Sequence, residues 1–172
     1  MDLTGFYERA RIIGVDITDH LPDMVNLVIA MDAKQIIEIG VGNGNSSSAW
    51  LMGLAQTGGH LWSVDICPTD LAIQLNEFVP DWTYWYGDSL TEHFQAPYDA
   101  DILFIDSEHS YDQTIAELDL YTPHVRSGGV IWLHDTDTDH AEVRPALDDW
   151  CASRGLSWSN RSGCYGMGMV QL

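Results

Sequence analysis

The chain has 172 residues, 45% of them hydrophobic and 19% charged, the size and balance of one globular domain that can build a core without disulfides or a structural metal. Its 26 acidic residues against 7 Lys and Arg give a formal charge of −19. Affinity for polyanions comes largely from Lys and Arg displacing counterions, so nucleic acid and an anionic membrane surface are excluded as expected partners. No apolar run approaches the roughly 18 residues of a spanning helix. Cys67, Cys151 and Cys164 are odd in number and match no metal spacing, and the acidic N-terminus is unlike a signal peptide, so a soluble protein of the reducing cytoplasm is expected.

No linker, low-complexity tract or internal period marks a boundary, and a single domain over 1–172 is expected, with 1–34 as an N-terminal cap or lid segment and 35–172 as its core. The first twenty residues carry no firm signal. Phe6 and Tyr7 there belong either to a lid or, as is commoner for such a pair, to the core. Leu21 to Met31 is amphipathic and predicts a helix over one sheet face. Gln35 to Ile39 (QIIEI) predicts a strand, Ser46 to Leu54 a helix, His60 to Asp65 a second strand, Thr69 to Val79 a helix with Thr69 as N-cap, and Trp82 to Tyr86 a third, aromatic strand.

The alternation continues with a buried strand over Asp101 to Asp106, a helix over Tyr111 to Tyr121, a strand over Val130 to Leu133 and a helix over Ala141 to Ser153. Leu156 to Asn160 and Tyr165 to Gln171 then read as two strands joined by a link too short for a crossover helix, so they should pair antiparallel. The fold class is therefore α/β: a mostly parallel sheet with a C-terminal antiparallel hairpin and helices on both faces.

Parallel sheets place ligands at the carboxyl ends of their strands, near the point where strand order reverses. After the first strand, Glu38-Ile39-Gly40-Val41-Gly42-Asn43-Gly44-Asn45 sets three glycines at alternate positions, where a tight turn needs positive φ and a ligand needs bare backbone. A nicotinamide fingerprint would need a glycine where Asn45 stands, so the spacing favours another nucleotide. Asp65 ends the second strand, where an acid can accept from both ribose hydroxyls. Gly87-Asp88-Ser89 follows the third strand, where Asp88 can bond an adenine amino group. Each alone is also compatible with a plain turn or cap; their ordered recurrence is what points to a cofactor.

IIEIGVGNGNSS, LWSVD, YGDS, DILFIDSEHSY and SGGVIWLHDT, in this order and spacing, resemble the class I S-adenosylmethionine (SAM)-dependent methyltransferases, and the last two resemble the small-molecule O-methyltransferase branch related to the catechol and caffeoyl-CoA enzymes. The similarity runs from about Gln35 to Leu172. It implies a Rossmann-like seven-stranded sheet and transfer of methyl from SAM to a hydroxyl of a small molecule. Glu38, Gly40, Gly42, Gly44 and Ser46 would cradle the methionine part of the cofactor, Asp65 the ribose, and Asp88 and Ser89 the adenine.

Asp106 and Asp135 end the fourth and fifth strands, close enough to converge on one ion, and hard oxygen donors suit Mg²⁺ or Ca²⁺. The resemblance implies a divalent cation here with a third ligand after the second acid. The relatives carry an amide at that position and this chain has Thr136, a weaker ligand, leaving Asp137, Glu108 or water to complete the shell. His109 stands where the relatives carry a catalytic lysine and, titrating near neutrality, is expected to take a proton from the substrate hydroxyl, with Asp106 beside it. His134 reads as a positioning or structural histidine, and His93, His124 and His140 as solvent-facing. Asp137 and Asp139 read equally as ligands or as a hydrated acidic loop. Tyr84, Trp85, Tyr86, Trp132 and Tyr165 are either an aromatic pocket or core. The competing functions are a metal-independent methyltransferase acting on another nucleophile, a cofactor-binding module without catalysis, and a nicotinamide-dependent reductase.

Overall fold

The computed structural model describes residues 2–14, 16–91, 94–138 and 142–172. His93, Asp139, His140 and the expected helix start at Ala141 lie outside the described residues. The elements run α1 (Leu3–Ile12), α2 (Leu21–Met31), β1 (Gln35–Ile39), α3 (Asn45–Thr57), β2 (His60–Asp65), α4 (Asp70–Phe78), β3 (Trp82–Tyr86), β4 (Ala100–Ile105), α5 (Tyr111–Tyr121), β5 (Val125–His134), α6 (Val143–Arg154), β6 (Trp158–Arg161) and β7 (Met167–Gln171). The seven strands form one sheet in the order β3-β2-β1-β4-β5-β7-β6. β1 to β5 are parallel, and β7 pairs antiparallel with both β5 and β6. This is the Rossmann-like sheet with the C-terminal antiparallel pair.

Alternation along the central strands sorts side chains to the two faces. Ile36, Phe104 and Trp132 join one apolar cluster with residues of α1, α2, α3 and α4. Ile37, Leu103 and Ile131 join the other with Leu118 of α5 and Leu147 and Trp150 of α6. Phe6 and Tyr7 dock into the first cluster, so α1 belongs to the core. Its N-terminus is fixed by the Asp2 carboxylate, which accepts from Gly5 N at 2.9 Å. Among the described residues no helix is long and apolar enough to cross a membrane.

Strand order reverses between β1 and β4, because the chain builds outward through β2 and β3 on one side and through β5 on the other. The end of β1 is tied to both neighbours there: Asp106 N, after β4, donates to Ile39 O at 2.8 Å, and Gly40 N to Val64 O of β2 at 2.9 Å. The groups that follow these strands therefore open onto one edge of the sheet.

Candidate active site

The three glycines after β1 each meet a different constraint. Gly40 has φ +89°, and a Cβ there would stand 1.9 Å from the Asp106 carbonyl oxygen, so the β1 and β4 ends can approach only over a bare backbone. Gly44 caps α3 with φ +76° and lies against Leu75 of α4. Gly42 has φ +52° and open space beside it, leaving its backbone accessible. Asp65 secures this turn. Its Oδ2 accepts from Val41 N at 2.7 Å and Gly42 N at 2.8 Å, and its Oδ1 from Cys67 N at 2.7 Å. One Oδ1 lone pair stays free toward the cleft, so Asp65 both shapes the turn and can meet one ligand hydroxyl.

Glu38 does not line either cleft beside the turn. Fully buried, it accepts from the hydroxyls of Ser46, Ser47 and Ser63 at 2.6 to 2.7 Å, tying the first turn of α3 to β2. Ser46 reaches the cleft edge, yet its hydroxyl is spent on Glu38. Burial pushes the Glu38 pKa up to about 7 against the pull of the three hydroxyls, and the Asp106 charge adds to the rise. The folded state then holds a proton that the unfolded chain releases near 4.5, so the Glu38 contribution to stability falls as pH rises from 4.5 to about 7 and is flat above. In Glu38→Gln that fall, on the order of 3 kcal/mol, is expected to vanish when stability is measured across the same window. A variant with the wild-type slope would show that Glu38 keeps an ordinary pKa.

A cleft of about 460 Å³ lies beside the turn, bordered by Gly40, Gly42, Asp65, Asp88, Ser107 and Gln113 among others. Ile66, 77% exposed, offers an apolar rim next to Asp65. Asp88 Oδ1 accepts from Leu90 N at 2.9 Å, a local turn that leaves its other oxygen to the cleft. Ser89 is buried, and its hydroxyl donates to Glu117 Oε1 at 2.6 Å. Ser107 and Gln113 also donate to Glu117, whose pKa burial raises. Glu117 thus organises the cleft floor from beneath. Sequence reasoning missed it, although Gln113 and Glu117 share a face of α5 at i, i+4 spacing.

Beyond Gly40, the ends of β4 and β5 bring together Asp106, His109, His134 and Asp135. His134 Nδ1 stands 2.8 Å from Asp135 Oδ2 and 3.3 Å from Asp106 Oδ1; His109 Nε2 stands 3.0 Å and 3.6 Å from the same two carboxylate atoms. Asp135 adopts φ +62°, a strained conformation for a side chain of its kind that the surrounding bonds maintain. Burial raises both aspartates, and the histidine hydrogen bonds override it, holding Asp135 and Asp106 below the usual carboxylate range. Burial pulls His134 down, but its bonds to Asp106 and Asp135 push it up to about 11. The same two acids hydrogen-bond His109 and push it up to about 10. His109 therefore keeps its proton at neutral pH while both acids face it, unlike the histidine titrating near neutrality that the sequence suggested.

Thr136 is not drawn into this group: its hydroxyl, buried, donates to Asn160 Oδ1 at 2.7 Å. Asp137 is engaged by Arg144 and Asn160. Among the described residues, the group whose ligand atoms lie mutually close enough for one ion, within 4.8 Å, is Asp106, His134 and Asp135. His134 Nε2 lies 2.8 Å from the Cys164 carbonyl, which can only accept, so Nε2 carries a hydrogen. Its Nδ1 then either carries a second proton toward the acids or presents a lone pair to a cation, the arrangement typical of ligating histidines. His124 is half-buried rather than solvent-facing, bonded to the Pro97 carbonyl and stacked on Tyr98. Of the five aromatic candidates, Trp132 is core, and Tyr165 borders a second cleft on the other side of the glycine turn.

A glycine turn at the switch point, acids at successive strand ends and an antiparallel final pair define a Rossmann-like cofactor-binding domain. A sequence profile described as a methyltransferase domain matches residues 37–136, and the chain belongs to that family. The comparison with curated protein sequences finds no match. Similar solved structures include the SAH-bound methyltransferase PaMTH1 of Podospora anserina, 16% identical with a TM-score of 0.74, covering 98% of this chain and 86% of that one. Another is the O-methyltransferase of Bacillus cereus in complex with SAH, 19% identical with a TM-score of 0.73, covering 90% and 80%. At these identities the likeness establishes the fold.

Proposed function

We propose that this protein transfers a methyl group from SAM to a hydroxyl of a small molecule. The observation that carries the reading is continuity: the cleft beside the accessible Gly42 backbone runs directly to Asp106, which belongs to the Asp106–His134–Asp135 group. Bound SAM supplies a sulfonium methyl open to nucleophilic attack. The residues fit that group, since the free Asp65 lone pair suits a ribose hydroxyl, the spare Asp88 oxygen an adenine amino group, and the exposed Ile66 side chain the face of a base. Glu38, Ser46 and Ser89 act by holding the turn and the floor in shape. Gly40 and Gly44 let the backbones close.

A divalent cation fits Asp106, Asp135 and His134, with Thr136 spent elsewhere; such an ion lowers the pKa of a bound hydroxyl. The ligand atoms of these three residues lie within 4.8 Å of one another, close enough to serve one ion. An imidazole donor moves the preference from Mg²⁺ or Ca²⁺ toward Mn²⁺, Fe²⁺, Co²⁺ or Zn²⁺. His109, 42% exposed beside Asp135, would be the residue to accept the substrate proton if a cation offset the charge of the two acids. The same geometry favours a second reading, metal-independent transfer, because two imidazolium–carboxylate pairs already balance the charge of the group without an ion.

SAH binding tests the cofactor reading directly. Calorimetry should detect it in the wild-type protein, and Asp65→Ala should weaken it by about 1.5 to 3 kcal/mol, the range of a hydrogen bond to a charged group, together with loosening of the turn. Unaltered affinity would remove Asp65 from the site. The charge of −19 supports a small-molecule partner rather than nucleic acid or membrane, and the three free cysteines support a reducing cytoplasm.

A further inference from the structure

The link between β6 and β7 is clamped into a strained form. Gly163, Cys164, Tyr165 and Gly166 all have positive φ, and for the two non-glycine residues, Cys164 at +44° and Tyr165 at +62°, that conformation is costly. Three consecutive carbonyls hold it. Gly163 O accepts from His20 Nε2 at 2.8 Å, Cys164 O from His134 Nε2 at 2.8 Å, and Tyr165 O from Asp137 N at 2.6 Å. At Gly166 a Cβ would collide with Asp137 and Thr136. The effect is to fix the backbone position of Tyr165, 54% exposed, at the border of a cleft of about 490 Å³.

That cleft shares Gly40, Gly42 and Asp106 with the cofactor cleft, so it opens on the same reacting region from the opposite side of the turn. Its other polar side chains include Asp16, Asn43 and Asn45, and among the described residues no Lys or Arg borders it. Acids engage Arg11 (Glu8), Lys34 (Asp32), Arg126 (Asp101), Arg144 (Asp137), Arg154 (Asp119) and Arg161 (Asp23), and none of these cations lines the cleft. A phosphate, carboxylate or other anion would enter against the exposed Asp16 carboxylate with no Lys or Arg among the described lining residues to receive it.

We infer that this second cleft binds the methyl acceptor, and that the acceptor is a hydroxyl-bearing ring with no anionic group, favoured further by an amine. Tyr165 is its stacking platform, the asparagines meet its hydroxyls, and Asp16 sets its charge preference. A ring face stacks on tyrosine whether it is aromatic or a sugar, and a cation gains from both the aromatic face and the nearby carboxylate. The assignment rests on the methyltransferase reading for the role of the bound molecule, while the cleft's charge selectivity stands apart from it.

Two series test it, each keeping one ring and varying the charge of a single substituent: dopamine, 3,4-dihydroxyphenylethanol and 3,4-dihydroxyphenylacetate; and glucosamine, glucose and glucuronate. Affinities for the full chain are read by saturation-transfer NMR, with and without saturating SAH. In at least one series the cationic member should bind about 10-fold or more tightly than the anionic one, equivalent to about 1.4 kcal/mol. Tyr165→Ala should weaken the bound members about 10-fold, with Tyr165→Phe restoring most of the loss, and Asp16→Asn should erase the charge order while sparing the neutral member. SAH affinity should be unchanged in all three variants. Anions that bind as well as their cationic counterparts in every series that binds, indifference to Tyr165→Ala, or no binding of any member at millimolar concentration would each overturn the inference. Failure of SAH to bind the wild type would instead defeat the cofactor reading.

Discussion

Asp135→Ala is expected to lower methyl transfer by about 100-fold or more, and removal of divalent ions by a chelator should have the same effect on the wild type. Both histidines approach Asp135 more closely than Asp106, at 2.8 and 3.0 Å against 3.3 and 3.6 Å, so its loss removes the shorter contact of each at the ends of β4 and β5. It does not border the cofactor cleft, and SAH affinity should survive within a few-fold. Equilibrium dialysis separates the ligands: His134→Gln should lose Mn²⁺ or Co²⁺ binding, whereas Thr136→Val should retain it, since the threonine hydroxyl is committed to Asn160. The Co²⁺ visible spectrum gives a readout independent of turnover and should change only in the histidine variant. Full activity in excess chelator would favour metal-independent transfer, with the two histidines serving as permanent counter-charges. Metal loss in Thr136→Val but not in His134→Gln would return the third ligand to the position the sequence suggested.

What the sequence made legible follows from how local each signal is. β1, β2, β3, α2 and α5 fall within the expected bounds because each is a compact run of one period ended by a strong punctuator. β5 begins at Val125, five residues before the expected start at Val130, running through Gly128-Gly129. Pairing with the chain end keeps that glycine pair in the sheet: Gly128 N donates to Leu172 O, and Leu172 N to Gly129 O. α1 was missed because its polar sequence shows only a thin apolar face, and only packing against α3 reveals the use of Phe6 and Ala10.

The site divides the same way. The glycine turn and the strand-end acids could be read in order, since the topology delivers them to one edge. The tasks of individual side chains could not, because they depend on partners distant in sequence. Ser46 and Ser89 carry hydroxyls that suit a ligand but serve Glu38 and Glu117. His134 becomes a candidate ligand only because the link after β6 brings the Cys164 carbonyl against its Nε2, 30 residues away. Tyr165 is brought to the cleft border by the same link.

Gly40→Ala is expected to be the most damaging single methyl in the molecule, and Gly42→Ala makes its control. Both positions have positive φ, so each alanine incurs the left-handed backbone penalty of roughly 1 kcal/mol. Only at Gly40 does the new Cβ also meet rigid backbone, with the Asp106 carbonyl oxygen at 1.9 Å and its carbon at 2.5 Å. Neither strand can yield easily, because Asp106 N is bonded to Ile39 O and Gly40 N to Val64 O in the sheet's central register. Relief requires parting β1 from β4 at their carboxyl ends, which breaks ladder bonds and displaces Asp106. A loss of at least about 3 kcal/mol is expected, beyond the roughly 1 kcal/mol of the control, measured by denaturant unfolding at constant m-value. The functional readouts should diverge as well. Gly42→Ala should fold and weaken SAH binding, since its methyl enters open space on the cleft side of the turn. Gly40→Ala, where it folds at all, should lose cation binding together with SAH because Asp106 moves. Equal stabilities for the two variants would mean that the β1 and β4 ends do not approach as closely as the Gly40–Asp106 contact requires.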